Sequence, residues 1–304
     1  MKLLLDLADR HGVLPAVASN IHRLADRGQV LWNGDDKAQA LWESVPGMIL
    51  QRTGLCLALR QQAHEITQDF RQAALPVIVL KGYDFADRLY PHPSLRSFTD
   101  VDLLIPQSAL AATRPRMEHL GYRPVVVAMK HPLGYGEEVW HRPQRSAGHV
   151  EVHTNLVNSP TLRRGVSVSF EDLQLTPADP LPHPSPAGTI LIAAVHGAAS
   201  HSFDRLQPLV DLTLAVRQAA GGLDEAWLKD ALARTGAAKA VAMGLWLAYK
   251  LLGESRCREL ARRLGLSRPP WLSRLALSRG VVLRGHARRD SFRRQWFRST
   301  LKSR

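Results

Sequence analysis

VIVLKGYDFADRLYPHPSLRSFTDVDLLIP, residues 77–106, opens with four apolar residues, Val77 to Leu80, that read as a buried strand. Lys81-Gly82 breaks the run, a short amphipathic helix is expected over Tyr83 to Tyr90, and Arg96 precedes Asp100-Val101-Asp102-Leu103-Leu104-Ile105. In a strand, residues two apart share a face, so Asp100 and Asp102 stand together with Val101 on the opposite side. Two carboxylates at the mouth of an apolar strand repel each other. A cation between them relieves that repulsion, and Mg²⁺, with its preference for carboxylate and phosphate oxygens, is the first candidate. The plainer alternative is a pair of aspartates on a solvated strand end.

Outward from this stretch, the rest of the chain divides by pattern. Residues 1–75 read as a helical lead-in: Leu3, Leu4, Leu7, Ile21 and Leu24 fall at helical spacing, Asn33 to Asp36 reads as a turn or a helix start, and Pro46-Gly47 is the expected break in a long helix. Residues 76–175 form the α/β part. Gln107 to Leu120 is a helix ended by Gly121, Tyr122 to Met129 a strand, Glu137 to His141 a further strand. His149-Val150-Glu151-Val152-His153 alternates strictly, with Glu151 and His153 opposite the two valines. Residues 176–188 carry five prolines, a density that predicts an extended linker and a domain boundary. Residues 189–265 return to helical periodicity, with Gly221-Gly222 ending one helix and Asp224 capping the next. Residues 266–304 form a basic tail in which arginine is interleaved with Trp271, Phe292, Trp296 and Phe297.

With 304 residues the chain can bury a substantial core. No apolar run approaches the roughly 18 residues of a membrane span. MKLLLDLADR begins as signal peptides do, but Asp6, Asp9 and Arg10 cut the apolar run short. Cys56 and Cys257 make no metal or disulfide pattern, and a reducing cytoplasm is the expected location. The charge is unevenly placed. Of 40 basic and 27 acidic residues, 15 basic and only two acidic ones follow residue 255, so the first 255 residues are balanced and the whole excess of +13 belongs to the end of the chain.

The pattern Leu80-Lys81-Gly82, Tyr90-Pro91, Arg96, Asp100-x-Asp102-Leu103-Leu104 resembles the bacterial family described as uncharacterised nucleotidyltransferase, within the superfamily of DNA polymerase β type. The resemblance covers roughly residues 40–250, taking in the Glu-x-His strand at Glu151 and the His-rich helix followed by Leu-x-x-Leu-x-Asp. It implies an α+β fold: a small mixed sheet flanked by helices, with a helical lead-in and a C-terminal helical domain. It implies nucleotidyl transfer, in which an acceptor oxygen attacks the α-phosphorus of a nucleoside triphosphate, ATP being the expected donor, and pyrophosphate leaves. Such sites use clustered carboxylates to hold two Mg²⁺ ions. Asp100, Asp102 and Glu151 are the expected metal-binding and catalytic residues, Glu151 as ligand or as the group that activates the acceptor hydroxyl. Lys81, Gly82 and Arg96 are the expected nucleotide-binding residues. Gly82 lets backbone approach phosphate, Lys81 offers a compact charge, and Arg96 either binds phosphate or pairs with Asp100. Most of the wider superfamily carries Gly-Ser at the turn, and Lys81-Gly82 departs from that. His153, His196 and Asp211 are candidates for an adjoining pocket, or ordinary buried polar groups satisfied by hydrogen bonds. His196 and His201 lie five apart, which disfavours a zinc pair on one helix face.

The acceptor is left open between a small molecule, a peptide and a protein. The basic tail has three readings: a contact for a polyanion such as RNA or an acidic membrane surface, a helical cap packed through its aromatics, and a flexible solubilising extension. Two rival functions follow, an RNA-directed nucleotidyltransferase and a nucleotide- or partner-binding module without activity.

Overall fold

A computed structural model of the chain describes residues 2–29, 36–125, 134–143, 148–179, 181–284 and 292–302. The turn expected at Asn33 to Asp35, the second half of the strand expected to Met129, and tail residues 285–291 and 303–304 lie outside the described residues.

The N-terminal part is helical, as the sequence predicts: α1 (Lys2–Arg10), α2 (Leu14–Asp26) and α3 (Asp36–Gln72). The break expected at Pro46 does not occur, and α3 runs through it. Pro46 sits on the exposed side of the helix, where its missing N–H costs least, while its neighbour Val45 is fully buried with Leu5, Ala8, Leu14 and Ala18 in a small N-terminal cluster. Farther along α3, Leu59, Ala63, Ile66 and Phe70 form a fully buried stripe at three- and four-residue spacing.

The chain then builds a sheet from β1 (Ile78–Val79), α4 (Tyr83–Leu89), β2 (Asp100–Leu104), α5 (Leu110–His119), β3 (Arg123–Pro124), β4 (Glu137–His141) and β5 (His149–His153). The strand order is β1-β2-β5-β4-β3, with β2 and β5 parallel and the other neighbours antiparallel. Val79, Val101, Leu103, Trp140, Val150 and Val152 point to one face and pack on the α3 stripe and on Met117 of α5. The other face turns Ile78, Leu80 and Leu104 into the main apolar core, and beside them Asp102, Glu151 and His153. Alternation along the strands thus gives one wholly apolar face and one on which acidic groups stand beside apolar packing.

The proline-rich stretch is more ordered than an extended linker. β6 (Leu175–Thr176) pairs antiparallel with β7 (His183–Pro184), and Pro186 is the first residue of α6 (Pro186–Val195), a position where proline's fixed φ suits a helix. Ser185 caps that helix by accepting from the Gly188 N–H at 3.1 Å. Every residue of α6 from Ala187 on is buried, so this helix is central. Against it pack α7 (Gln207–Gln218), α8 (Glu225–Thr235) and α9 (Ala238–Leu252), and α10 (Ser255–Arg263) packs on α9 and α7. Asp224 caps α8 as expected, accepting from the Trp227 N–H at 2.9 Å.

The basic end holds α11 (Trp271–Ala276), α12 (Arg279–Leu283) and α13 (Phe292–Thr300). Of the three readings of this segment, its described residues match the packed cap. Phe297 and Leu301 are almost wholly buried in the main core, and the Phe297 ring lies 6.4 Å from that of Phe203. Trp271 and Phe292 stay exposed. Among the described residues no helix is long and apolar enough to cross a membrane.

Candidate active site

Register fixes the site. Asp102 of β2 lies opposite Glu151 of β5, and Leu104 opposite His153, so Asp100, Asp102, Glu151 and His153 project from one face of two adjacent parallel strands. Asp102 is the centre. Its side chain is fully buried, and it is met by the Lys81 ammonium at 2.5 Å and by His153 Nε2 at 3.1 Å. Lys81 also reaches Asp100 at 3.7 Å. Glu151 stands 3.4 Å from the same His153 nitrogen. Asp102, Glu151 and His153 each offer one ligand atom, and the three atoms lie within 4.8 Å of one another.

The electrostatics follow from burial and pairing. Burial would raise the Asp102 carboxyl, but Lys81 and His153 outweigh it and hold the group well below the usual carboxylate range. Burial alone would lower Lys81, yet Asp102 and Asp100 push it up to about 12. His153 behaves in the same way: burial opposes its charge, and hydrogen bonds to Asp102 and Glu151 push it up to about 10. Asp100 lacks such a close donor, and burial beside Asp102 moves it upward. His196 is lowered well below the free value by burial and by Lys81.

The donor set was therefore legible in part. Asp102 and Glu151 come together as the sequence predicts, while the third close ligand atom belongs to His153, read from sequence as a pocket residue. Asp100 is adjacent on the same face and shares Lys81 with Asp102. Glu137 of β4 was missed. Its carboxylate lies 3.5 Å from His153 Nδ1 and accepts from Asn158 at 2.5 Å. Alternation along β4 was the available signal, because Glu137 pairs with His153 and shares its face. Two carboxylates and an imidazole are a donor set that divalent cations take, and Lys81 and His153 already balance the buried charge of Asp102.

Gly82 makes the turn between β1 and α4 with φ 60° and ψ −120°, a conformation that a side chain strains. Arg96 supports that turn by donating from Nη1 to the Gly82 carbonyl at 3.1 Å. Its acidic partner is Asp211 of α7, gripped through two parallel bonds of 2.9 and 2.8 Å, and not Asp100. Tyr90 donates to the same carboxylate at 2.7 Å. Arg96 and Asp211, singled out separately from sequence, are one buried clamp between the turn and the helical part.

His196 opens a π-helical segment, His196–Ser200, at the end of α6, and its ring meets that of His201 edge-on at 4.7 Å. Ser202 and Phe203 follow with φ of 49° each, a strained backbone. Irregular helix of this type is frequent where side chains are aimed at a site. His196 and His201 line a cavity of about 500 Å³ together with Lys81, Gly82 and Asp100.

The family model described as uncharacterised nucleotidyltransferase matches residues 1–253. Among solved structures, a crystal structure of ANT(2'')-Ia in complex with adenylyl-2''-tobramycin matches at 16% identity and a TM-score of 0.40, covering 60% of this chain and 98% of that one. A solution structure of the antibiotic-resistance factor ANT(2'')-Ia matches at 14% identity and a TM-score of 0.39, covering 58% and 91%. The comparison with curated proteins gives no match.

Proposed function

Since the chain belongs to the uncharacterised nucleotidyltransferase family, we propose that it moves a nucleotidyl group from a nucleoside triphosphate, with ATP the expected donor, to a hydroxyl or phosphate oxygen of an acceptor. The observation that carries this reading is the convergence of Asp102, Glu151 and His153 on one buried point, with Asp100 and Lys81 beside it.

The residues take these parts. Asp100, Asp102 and Glu151 would hold Mg²⁺ through carboxylate oxygens, with His153 hydrogen-bonded beside them. Bound there, divalent cations would neutralise the triphosphate and favour in-line displacement at its α-phosphorus. The acceptor oxygen forms the new bond to phosphorus, the bond to the bridging oxygen breaks, and pyrophosphate takes that oxygen away. When the acceptor is a hydroxyl its proton must go to a base, and Glu151, half-exposed at the site, is the carboxylate placed to receive it. Lys81 keeps Asp102 ionised and draws Asp100 toward it. Gly82 presents open backbone to phosphate, and Arg96 fixes that turn through Asp211.

The test is transfer of label from α-³²P nucleoside triphosphates, with Mg²⁺ and an extract of the source cells as acceptor. Wild type should label an acceptor and release pyrophosphate, and Asp102→Ala should lose at least about a hundredfold in rate, as removal of a metal-site charge does. Equal labelling by both proteins would overturn the assignment.

A further inference from the structure

The turn in this chain reads Lys81-Gly82 where most of the wider superfamily reads Gly-Ser, and that lysine is already committed. Its ammonium lies 2.5 Å from Asp102 and 3.7 Å from Asp100, with 13% of the side chain exposed. Arg96 is committed as well, to Asp211 and the Gly82 carbonyl. A triphosphate laid from the acidic site across the Gly82 turn thus needs other cations for its outer phosphates.

They stand across the same cavity. Arg10 comes from the end of α1, Arg52 from α3, and Arg205 from the strained turn after the π-helical segment. Their nearest acids are few: Arg52 pairs with Asp9, and Arg205 lies 3.4 Å from the buried Asp204. Arg52 and Arg205 each keep 30% of the side chain exposed. Asp100 of the acidic face lines the cavity with these three guanidiniums, the other lining carboxylates, Asp9 and Asp211, are paired with Arg52 and Arg96, and its volume of about 500 Å³ lies in the range of a small-molecule site. Guanidinium forks match phosphate oxygens, and a partly desolvated arginine cluster is a strong polyphosphate site.

Building on the nucleotidyl-transfer reading, we infer that the β- and γ-phosphates of the donor are bound by Arg52 and Arg205, with Arg10 at the rim, so that the N-terminal helices complete the nucleotide site. This assigns a substrate-binding role to the lead-in, whose sequence signals packing alone. It also gives the irregular turn after α6 a purpose, the placing of Arg205.

Calorimetric titration of α,β-methylene-ATP and of AMP, both with Mg²⁺, into wild type, Arg52→Ala, Arg205→Ala and the corresponding lysine variants tests it. Each alanine variant should bind the triphosphate analogue about tenfold or more weakly, the loss expected for a charge-assisted hydrogen bond, with AMP affinity unchanged. The lysine variants should recover part of the loss. Unchanged binding of the analogue by both alanine variants would overturn the assignment while leaving the transfer reading intact. Equal weakening toward AMP and the analogue would also overturn it, because that pattern marks a general disturbance of the fold. A wild type that binds no triphosphate analogue would sink both readings.

Discussion

At the scale of single residues, the centre of this protein is a buried charge that must be balanced. Asp102 has its side chain wholly out of solvent and is flanked by Lys81 and His153. Removing one partner of such a group leaves an uncompensated charge, which costs about 3–5 kcal/mol. Lys81→Met should therefore lower stability by that order in urea denaturation carried out in EDTA, and Mg²⁺ should restore part of it by taking the lysine's place. The same balance makes a pH prediction for metal-free protein. His153 is raised from 6.5 to about 10 by hydrogen bonds that outweigh burial, so the folded state holds a proton that the unfolded state releases. Its contribution is full below pH 6.5 and is lost as pH rises through about 10. Denaturation curves in EDTA between pH 6 and 10 should show stability falling with pH in wild type and a flatter dependence in His153→Asn. An unchanged slope would mean that His153 is not the proton holder.

At the scale of elements, the sheet face was legible because alternation with period two needs only local sequence. Asp100-Val101-Asp102 and His149 to His153 declared which side chains go together, and the register of β2 on β5 places Glu151 opposite Asp102. The clamp was not legible. Arg96 and Asp211 lie 115 positions apart, and no local pattern announces which acid an arginine will find. The proline-rich stretch was misread for a related reason. Proline density reports lost donors, but a two-residue pair and a proline at a helix start need none of those donors. The clamp makes its own prediction. Arg96→Ala and Asp211→Ala should each destabilise by about 3–5 kcal/mol, and the double variant by clearly less than their sum. Thermal unfolding of the three proteins checks this, and full additivity would show that the two side chains do not act as a unit.

At the scale of the whole molecule, one apolar core runs from the sheet through α6, α7 and α9 to the chain's end. The basic segment is anchored to it by Phe297 and Leu301, and the chain passes so close to Gly165 that a Cβ there would collide with the Leu301 carbonyl oxygen. Deleting residues 292–304 should cost about 3–6 kcal/mol, from two large side chains at about 1.5–3 kcal/mol each, seen as a lower Tm. An unchanged Tm would mark the segment as an independent tail. This union of parts brings α1, α3, the β1–α4 turn and the loop before α7 around one cavity beside the acidic face. The proposed transfer requires that face to hold a divalent ion. Mn²⁺ binding, followed by the loss of the free-ion electron paramagnetic resonance signal, measures it most directly. Wild type should bind Mn²⁺, Asp102→Asn and Glu151→Gln should each bind it at least about tenfold more weakly, and excess Mg²⁺ should displace it. Retention of wild-type Mn²⁺ affinity by the Asp102→Asn, Glu151→Gln double variant would contradict the account.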